Sequence, residues 1–393
     1  MAYPEKTHVQ NVDEVDIMSL VSTRLTNGGI DTELPFIGGW FVFLSYEYSA
    51  LIEPTVHFSS PQPGLPIAFI SRIPAAIIID HDRSKCIIVA CEERKELLSE
   101  ILMDMQKISE MEEGDLPGSM IHEEDSAIYS SHLDKTHQYI RDGDIFQANL
   151  SRLWKVKFDK PCSPVTVYQK LRHSNPAPFA ALVKFNDQYI ISSSPERLVS
   201  VRNGIAETRP IAGTHPRGEN LQQDQALSEE LLQHPKERAE HVMLIDLERN
   251  DLGRVCLPGT IRVKDKMILE TYEHVHHIVS SIVGEIAPGK TVKDIVHAVF
   301  PGGTITGCPK VRCMQIISEM EQTPRGAYTG SVGYISDHGH MDLNILIRTM
   351  VMSENELTFR AGAGIVSDSV TENELNETRH KARGMIHAIQ PDH

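Results

Sequence analysis

The chain has 393 residues, 40% hydrophobic and 23% charged, a balance that can bury the core of one large domain or two ordinary ones. Its formal net charge of −16 argues against a nucleic-acid partner, since neutralising phosphates takes clustered Lys and Arg, and it obliges any anion site to build its own positive charge. No apolar run reaches the roughly 18 residues of a membrane span, and the opening MAYPEKTHVQNVDEVD lacks the basic and apolar segments of a secretory leader, so a soluble, cytoplasmic protein is expected.

Residues 34–90 predict short strands, GGWFVFLSYEY, LPIAFI, AAIIID and CIIVA, separated by Pro, Gly and charged turns. A helix follows over EERKELLSEILMDMQ; residues 110–125 are acidic and aperiodic and read as a solvated linker. It divides a strand-rich portion, 1–118, from a denser portion, 119–393. Helical spacing covers residues 126–141 and stops near Gly143. IFQANLSRLW then alternates, with Phe146, Ala148 and Leu150 on one face and Gln147, Asn149 and Ser151 on the other. Ser163-Pro164 pairs a cap with a first-turn proline and starts a helix. FAALVKF and YIISSS form a hairpin around Asn186-Asp187; helices fall near 219–233 and 235–248, with strands around 259–273. A helix over 309–321 precedes the strands AYTGSVGYIS, HMDLNILIRTMVM and LTFRAGAGIV, and a last helix covers 371–389. Strands come in adjacent pairs, which predicts an α/β (α+β) chain of antiparallel sheets with flanking helices.

In the last helix Glu374, Glu377 and Lys381 are spaced by three and four and share one face. Two carboxylates on a rigid face suit Mg²⁺, with the lysine a turn away for an anionic group. Thr371-x-x-Glu374 equally spells a capping box, and Glu377–Lys381 an ordinary helical pair. Before it, AGAGIVSDS places Gly362 and Gly364 around Ala363, either a plain tight turn or a close backbone approach to an anion. PKERAEHVMLIDLERNDLGR carries Glu240 on an acidic helix whose charged RND-LGR end exceeds what capping needs. Glu196, in SSSPERL, follows a buried-looking strand where desolvation can raise a carboxyl toward general-acid use. PGGTITGCPK fails as a phosphate loop because Cys308 stands where Lys is required. G-x-S-x-G, H-E-x-x-H and G-x-C-x-G are absent, which disfavours serine hydrolase, zincin and glutaminase chemistry in this chain. The six cysteines form no C-x-x-C pair and read as reduced thiols.

Read together, QANLSR, NPAPF, SSPER, PIAGT, VHH and FPGGTITGCPK, with the last helix, resemble the chorismate-utilising family, densely over residues 126–393 and more weakly over PFIGGWFVFLSYE. The resemblance implies an anthranilate synthase component I-like fold, two antiparallel sheets packed as a sandwich, completed by the N-terminal portion. It implies Mg²⁺ held by Glu240 and Glu377 with Glu374 close by, and Glu196 as the acid that protonates the departing C4 hydroxyl. Arg348 and Lys381, with the amides around Gly362, Ala363 and Gly364, would hold the pyruvyl carboxylate, and Thr214, His277, Thr304 and Tyr328 would line the ring. Gln147 stands where the water-adding relatives have a lysine base, which favours amination, with ammonia from a class I glutamine amidotransferase partner. The motifs are closest to aminodeoxychorismate synthase component I, hence 4-amino-4-deoxychorismate for para-aminobenzoate and folate. Ala212 replaces the lysine nucleophile usual there, as in anthranilate synthase component I, so anthranilate with pyruvate is the alternative. A non-catalytic, small-acid-binding regulator is the remote one.

Overall fold

A computed structural model describes residues 3–11, 14–21, 33–58, 60–109, 114–218, 220–271 and 275–390, with the side chains of Thr214, His215, Pro216, Lys236 and Val275 outside that description. Two large sheets dominate it, one of ten strands and one of seven, beside a separate hairpin of Ala75–Asp80 with Lys85–Ala90. Every strand pair among the described residues is antiparallel, as adjacent strand runs predict. The sheets meet through Phe43, Phe69, Ile190, Val332, Leu346 and Val351, the apolar seam of a sandwich. Helices cover the outer faces. Pro164–Ser174 and Thr371–Ile389 close the seven-stranded sheet, the latter setting Met385 in the cluster of Trp154 and Phe359, and Val292–Val299 packs into the core of the ten-stranded one. The N-terminal strands belong to the larger sheet, Gly39–Leu44 pairing with Ser331–Ser336.

Local chemistry explains where elements start. Asp125 caps the Ser126–Arg141 helix by accepting from Ala127 N, and Ser163 caps the Pro164–Ser174 helix by accepting from Val165 N. Asn186 takes the positive φ that the tight Phe179–Phe185/Gln188–Ser194 hairpin requires.

Several expectations are corrected. The acidic linker contains a strand, Ser119–Glu123, which is tolerated because it lies at the sheet edge against Gln147–Phe158 with Met120 open to solvent. Phe146 does not share the buried face of Ala148 and Leu150: it precedes the strand and is 70% exposed. The helix expected to end at residue 248 continues to Gly253, because Glu248 and Asp251 are buried and Asp251 pairs with Lys310 at 2.5 Å. The capping box at Thr371 is absent, since Val370 is the N-cap; the motif forms instead at Thr291 and Asp294, heading a helix whose pattern was not read. The strand Val275–Glu285 was also missed. It has neighbours on both sides, so His276, His277, Ser280 and Ser281 are as buried as Ile278 and Ile282 and no alternation survives.

The correction that matters most concerns HMDLNILIRTMVM. It is two strands, Met341–Asn344 in the ten-stranded sheet and Thr349–Ser353 in the seven-stranded one, joined by a crossover at Ile345–Arg348. Arg348 has φ +50, in the left-handed region that a long side chain rarely adopts.

Candidate active site

In the seven-stranded sheet Gln147–Phe158 and Glu356–Ile365 are neighbours, paired Gly364 to Asn149 and Gly362 to Ser151. Gly362 and Gly364 therefore lie inside a strand and form no turn. Their use is space. A Cβ on Gly364 would stand 2.3 Å from Gln147 Nε2, and one on Gly362 would stand 2.7 Å from Asn149 Oδ1 and 2.8 Å from the Tyr328 hydroxyl. Ala363 alternates away, its side chain in the core with Leu150 and Ile365.

The helix Pro235–Gly253 brings Glu240 to the start of the first of these strands, where Gln147 Nε2 donates to Glu240 Oε1 at 2.8 Å. From the last helix, Lys381 donates to the Gly362 carbonyl at 3.0 Å and pairs with Glu377 at 2.8 Å. Lys381 and Glu377 keep 47% and 46% of their side-chain surface, so this is an open recess. Burial and then the neighbouring Glu237 and Glu377 charges raise the Glu240 carboxyl above its usual range, against the hydrogen bond from Gln147 and the charge of Lys381. Glu374 is buried one turn earlier, and its charge and that of Glu377 both raise the proton affinity of the already buried Tyr129. Glu240, Glu377 and Lys381 are thus one electrostatic unit.

Those residues fit a hard divalent ion. Among the described residues no cage of three or more His, Cys, Asp or Glu side chains is assembled. Mg²⁺ rarely uses such a cage; it takes one or two carboxylates and completes its shell with substrate oxygens and water. Glu240 and Glu377 would supply the carboxylates, and a cation between them would relieve the repulsion by which Glu377 raises the Glu240 carboxyl.

Glu196 sits across the recess, 5% exposed, at the start of Arg197–Arg202. Burial pushes its carboxyl up to about 7, although Thr304 Oγ1 donates to it at 2.7 Å and the charges of Lys381 and Arg348 pull the other way. It also accepts the amide of Ile211, which places Ala212 next to the acid. Ala212 is buried opposite Ile278 and presents only a methyl group. Thr214 pairs with His277 in the same ladder, but its side chain lies outside the described residues. Burial, and then the charge of Arg348, hold the His277 imidazole down to about 4, so it is neutral at physiological pH.

Arg348 forms no ion pair among the described residues; its Nη1 donates to the neutral Asn175 Oδ1 at 3.3 Å. Burial lowers its proton affinity and the charge of Glu196 raises it. A guanidinium held in protein without a carboxylate partner is poised for an incoming anion.

Beneath the recess lies a network that the sequence reading missed. Glu321 accepts from Ser151 N at 2.7 Å, Arg325 Nη2 at 2.7 Å and Arg360 Nη2 at 3.1 Å. Arg325 also donates to the Asn149 carbonyl at 2.7 Å and stacks on the rings of Tyr46 and Tyr328. It fixes Tyr328 and the strand bearing Gln147 and Asn149. The available signal was Arg360, a charge in the middle of the otherwise apolar LTFRAGAGIV.

A two-sheet sandwich with a buried acid, two facing carboxylates and unpaired positive charge defines an enzyme acting on a small anionic substrate. The family model for chorismate binding enzymes matches residues 2–387, and the chain belongs to that family, as the motifs implied. It is 41% identical over 363 residues to an anthranilate synthase component I-like protein of Synechocystis, covering 92% of this chain and 74% of that protein. It is 40% identical over 368 residues to aminodeoxychorismate synthase component 1 of Bacillus subtilis, covering 90% and 77%. The crystal structure of anthranilate synthase component I from Streptococcus pneumoniae superposes with a TM-score of 0.85 at 33% identity, covering 95% of this chain and 86% of that one. The expected sandwich is thus the family's own fold.

Proposed function

We propose that the chain catalyses Mg²⁺-dependent amination of chorismate, with 4-amino-4-deoxychorismate as product. Gln147 is the observation that carries amination. An amide cannot take a proton from water as a lysine base could, and this one is held by Glu240 with its buried Oε1 left to accept from an N–H donor. Arg348 and Lys381 bind the substrate carboxylate, and the neutral His277 adds no competing charge. Mg²⁺ held by Glu240 and Glu377 would neutralise the ring carboxylate and polarise the ring. Glu196, protonated near neutrality, gives its proton to the C4 hydroxyl as the C4–O bond breaks and water leaves. The nitrogen forms its C–N bond, and the proton it sheds restores Glu196, so the net exchange is ammonia in and water out.

The product assignment is supported by the run of shared motifs and by the likeness to the Bacillus subtilis aminodeoxychorismate synthase component along most of both chains. One observation favours a second reading. Ala212 offers no nucleophile beside Glu196, which suits direct attack of ammonia at C2 and release of anthranilate and pyruvate. Ammonia would come from a class I glutamine amidotransferase in the cytoplasm. Mass spectrometry of the products from chorismate, ammonium and Mg²⁺, with no lyase added, tests the proposal. 4-Amino-4-deoxychorismate is expected; equimolar anthranilate and pyruvate would establish the second reading, and isochorismate as main product would refute both.

A further inference from the structure

Arg348 stands in the crossover between the two sheets with a backbone conformation that costs energy, so something must over-determine it. Ser193 N donates to the Arg348 carbonyl at 3.1 Å and holds the backbone. Asn175 holds the side chain, its Oδ1 accepting from Arg348 Nη1 at 3.3 Å. Asn175 is itself clamped on several sides. Its amide N–H donates to the Leu171 carbonyl at 2.9 Å as the C-cap of Pro164–Ser174. Its Nδ2 donates to the Ser193 carbonyl at 3.3 Å, and its own carbonyl accepts from the Ser193 hydroxyl. Gly384 of the last helix leaves only enough room for it, since a Cβ there would lie 3.2 Å from both Asn175 Cβ and Oδ1. Ser193, Arg348 and Asn175 therefore close a ring that aims the guanidinium, and the partner at its tip is an amide.

An aspartate would make the same contact with stronger attraction, yet it would neutralise Arg348 within the recess. Among the described residues the remaining charge that Arg348 feels is Glu196, which is largely protonated when the acid is ready to act. We propose that Asn175 is a positioning residue for the substrate: an uncharged clasp that orients Arg348 while leaving its positive charge for the incoming carboxylate. The inference rests on the reading of Arg348 as a carboxylate holder.

The test measures chorismate dissociation constants with Mg²⁺ and without ammonia, then KM and kcat, for Asn175→Asp, Asn175→Ala and, as reference, Arg348→Ala. Because a close ion pair competes directly with substrate, Asn175→Asp should weaken binding about 50-fold, approaching Arg348→Ala, with kcat changed far less. Asn175→Ala loses orientation alone and should weaken binding only about fivefold. A purely structural asparagine predicts instead that both variants lose stability, Asp through the lost Nδ2 donor to Ser193 and Ala through both side-chain bonds, with chorismate dissociation constants in the folded enzyme near wild type for both. Alanine as harmful as aspartate, or aspartate within twofold of wild type, overturns the inference. Wild-type binding by Arg348→Ala overturns the reading of Arg348 and the inference with it, whereas weak binding there beside a harmless Asn175→Asp sinks the inference alone. Gly384→Ala gives a second perturbation from the opposite side and should raise KM about threefold with kcat nearly unchanged, by shifting the clasp a few tenths of an ångström. An unchanged KM there counts against it.

Discussion

Removing Glu321 should cost more stability than its single charge suggests. The carboxylate is fully enclosed, and burial alone would raise its proton affinity, but the Arg325 and Arg360 guanidiniums and the Ser151 amide more than reverse this and hold it down to about 2 from the usual 4.5. That difference, at about 1.4 kcal/mol per unit, corresponds to roughly 3 kcal/mol of stability at neutral pH. A folded-state pKa below the unfolded one gives stabilisation that is complete above about 4.5 and lost as pH falls toward 2. Glu321→Gln also leaves two buried arginines without a counter-charge, an effect of about 3–5 kcal/mol where a buried pair is broken one-sidedly. Urea unfolding should therefore show a loss of about 3 kcal/mol at pH 7, and the gap to wild type should shrink by about 1 kcal/mol at pH 3.5. A loss under about 1 kcal/mol at pH 7, or a gap that ignores pH, would show that Glu321 does not carry the charge of this network.

Glu196→Gln should lower kcat by about 10²- to 10⁴-fold with little change in KM, and wild-type activity should fall as pH rises past about 7; a flat profile to pH 9 removes Glu196 as the acid. Because its folded pKa is raised, wild type loses stability as pH climbs from about 4.5 to 7, so the Gln variant should melt higher than wild type at pH 8 and show no such advantage at pH 4. Glu377→Gln should abolish most turnover with an unchanged melting temperature, and EDTA should stop wild type reversibly; full activity of the variant in saturating Mg²⁺ takes this glutamate out of the site. Gln147→Lys places an amine against Glu240 and should suppress amination about tenfold or more while admitting a trace of isochorismate; unimpaired amination would mean that the amide has no part in selecting ammonia.

What was legible in the sequence follows from physical simplicity. The last helix, the Ser163-Pro164 start and the Asn186 turn were read correctly because each is decided within a few residues. Val275–Glu285 was not, since contacts from distant strands bury both of its faces and erase the period. HMDLNILIRTMVM reads as one strand because every residue of it suits a sheet; only the packing of two sheets shows that it serves both. The candidate site was legible only as a set. Glu240, Glu377 and Lys381 are ordinary helix-surface residues singly, and their ordered succession of motifs is what identified them. The part played by Asn175 and the Glu321 network stayed hidden, because their partners lie far away in the chain: 173 residues for Asn175 and Arg348.

A chain of net charge −16 that binds an anion must solve a local electrostatic problem, and in the proposed site the crossover between the sheets would solve it. Positive groups on an acidic protein are readily consumed by nearby carboxylates, as Arg325 and Arg360 are by Glu321 and Lys310 is by Asp251. Arg348 escapes because its neighbours on the Pro164–Ser174 cap and the Gln188–Ser194 strand are an amide and a serine. Lys381 escapes less completely. It is shared with Glu377, and a cation bound between Glu377 and Glu240 would release it toward the substrate. On the proposed reading the two basic groups would be available under different conditions, Arg348 while Glu196 is protonated and Lys381 once the carboxylates are otherwise neutralised. The same division makes the order of binding testable: chorismate affinity should rise steeply with Mg²⁺ in wild type and much less in Lys381→Gln. A Mg²⁺ dependence of binding that Lys381→Gln leaves untouched would show that the lysine is not released in this way.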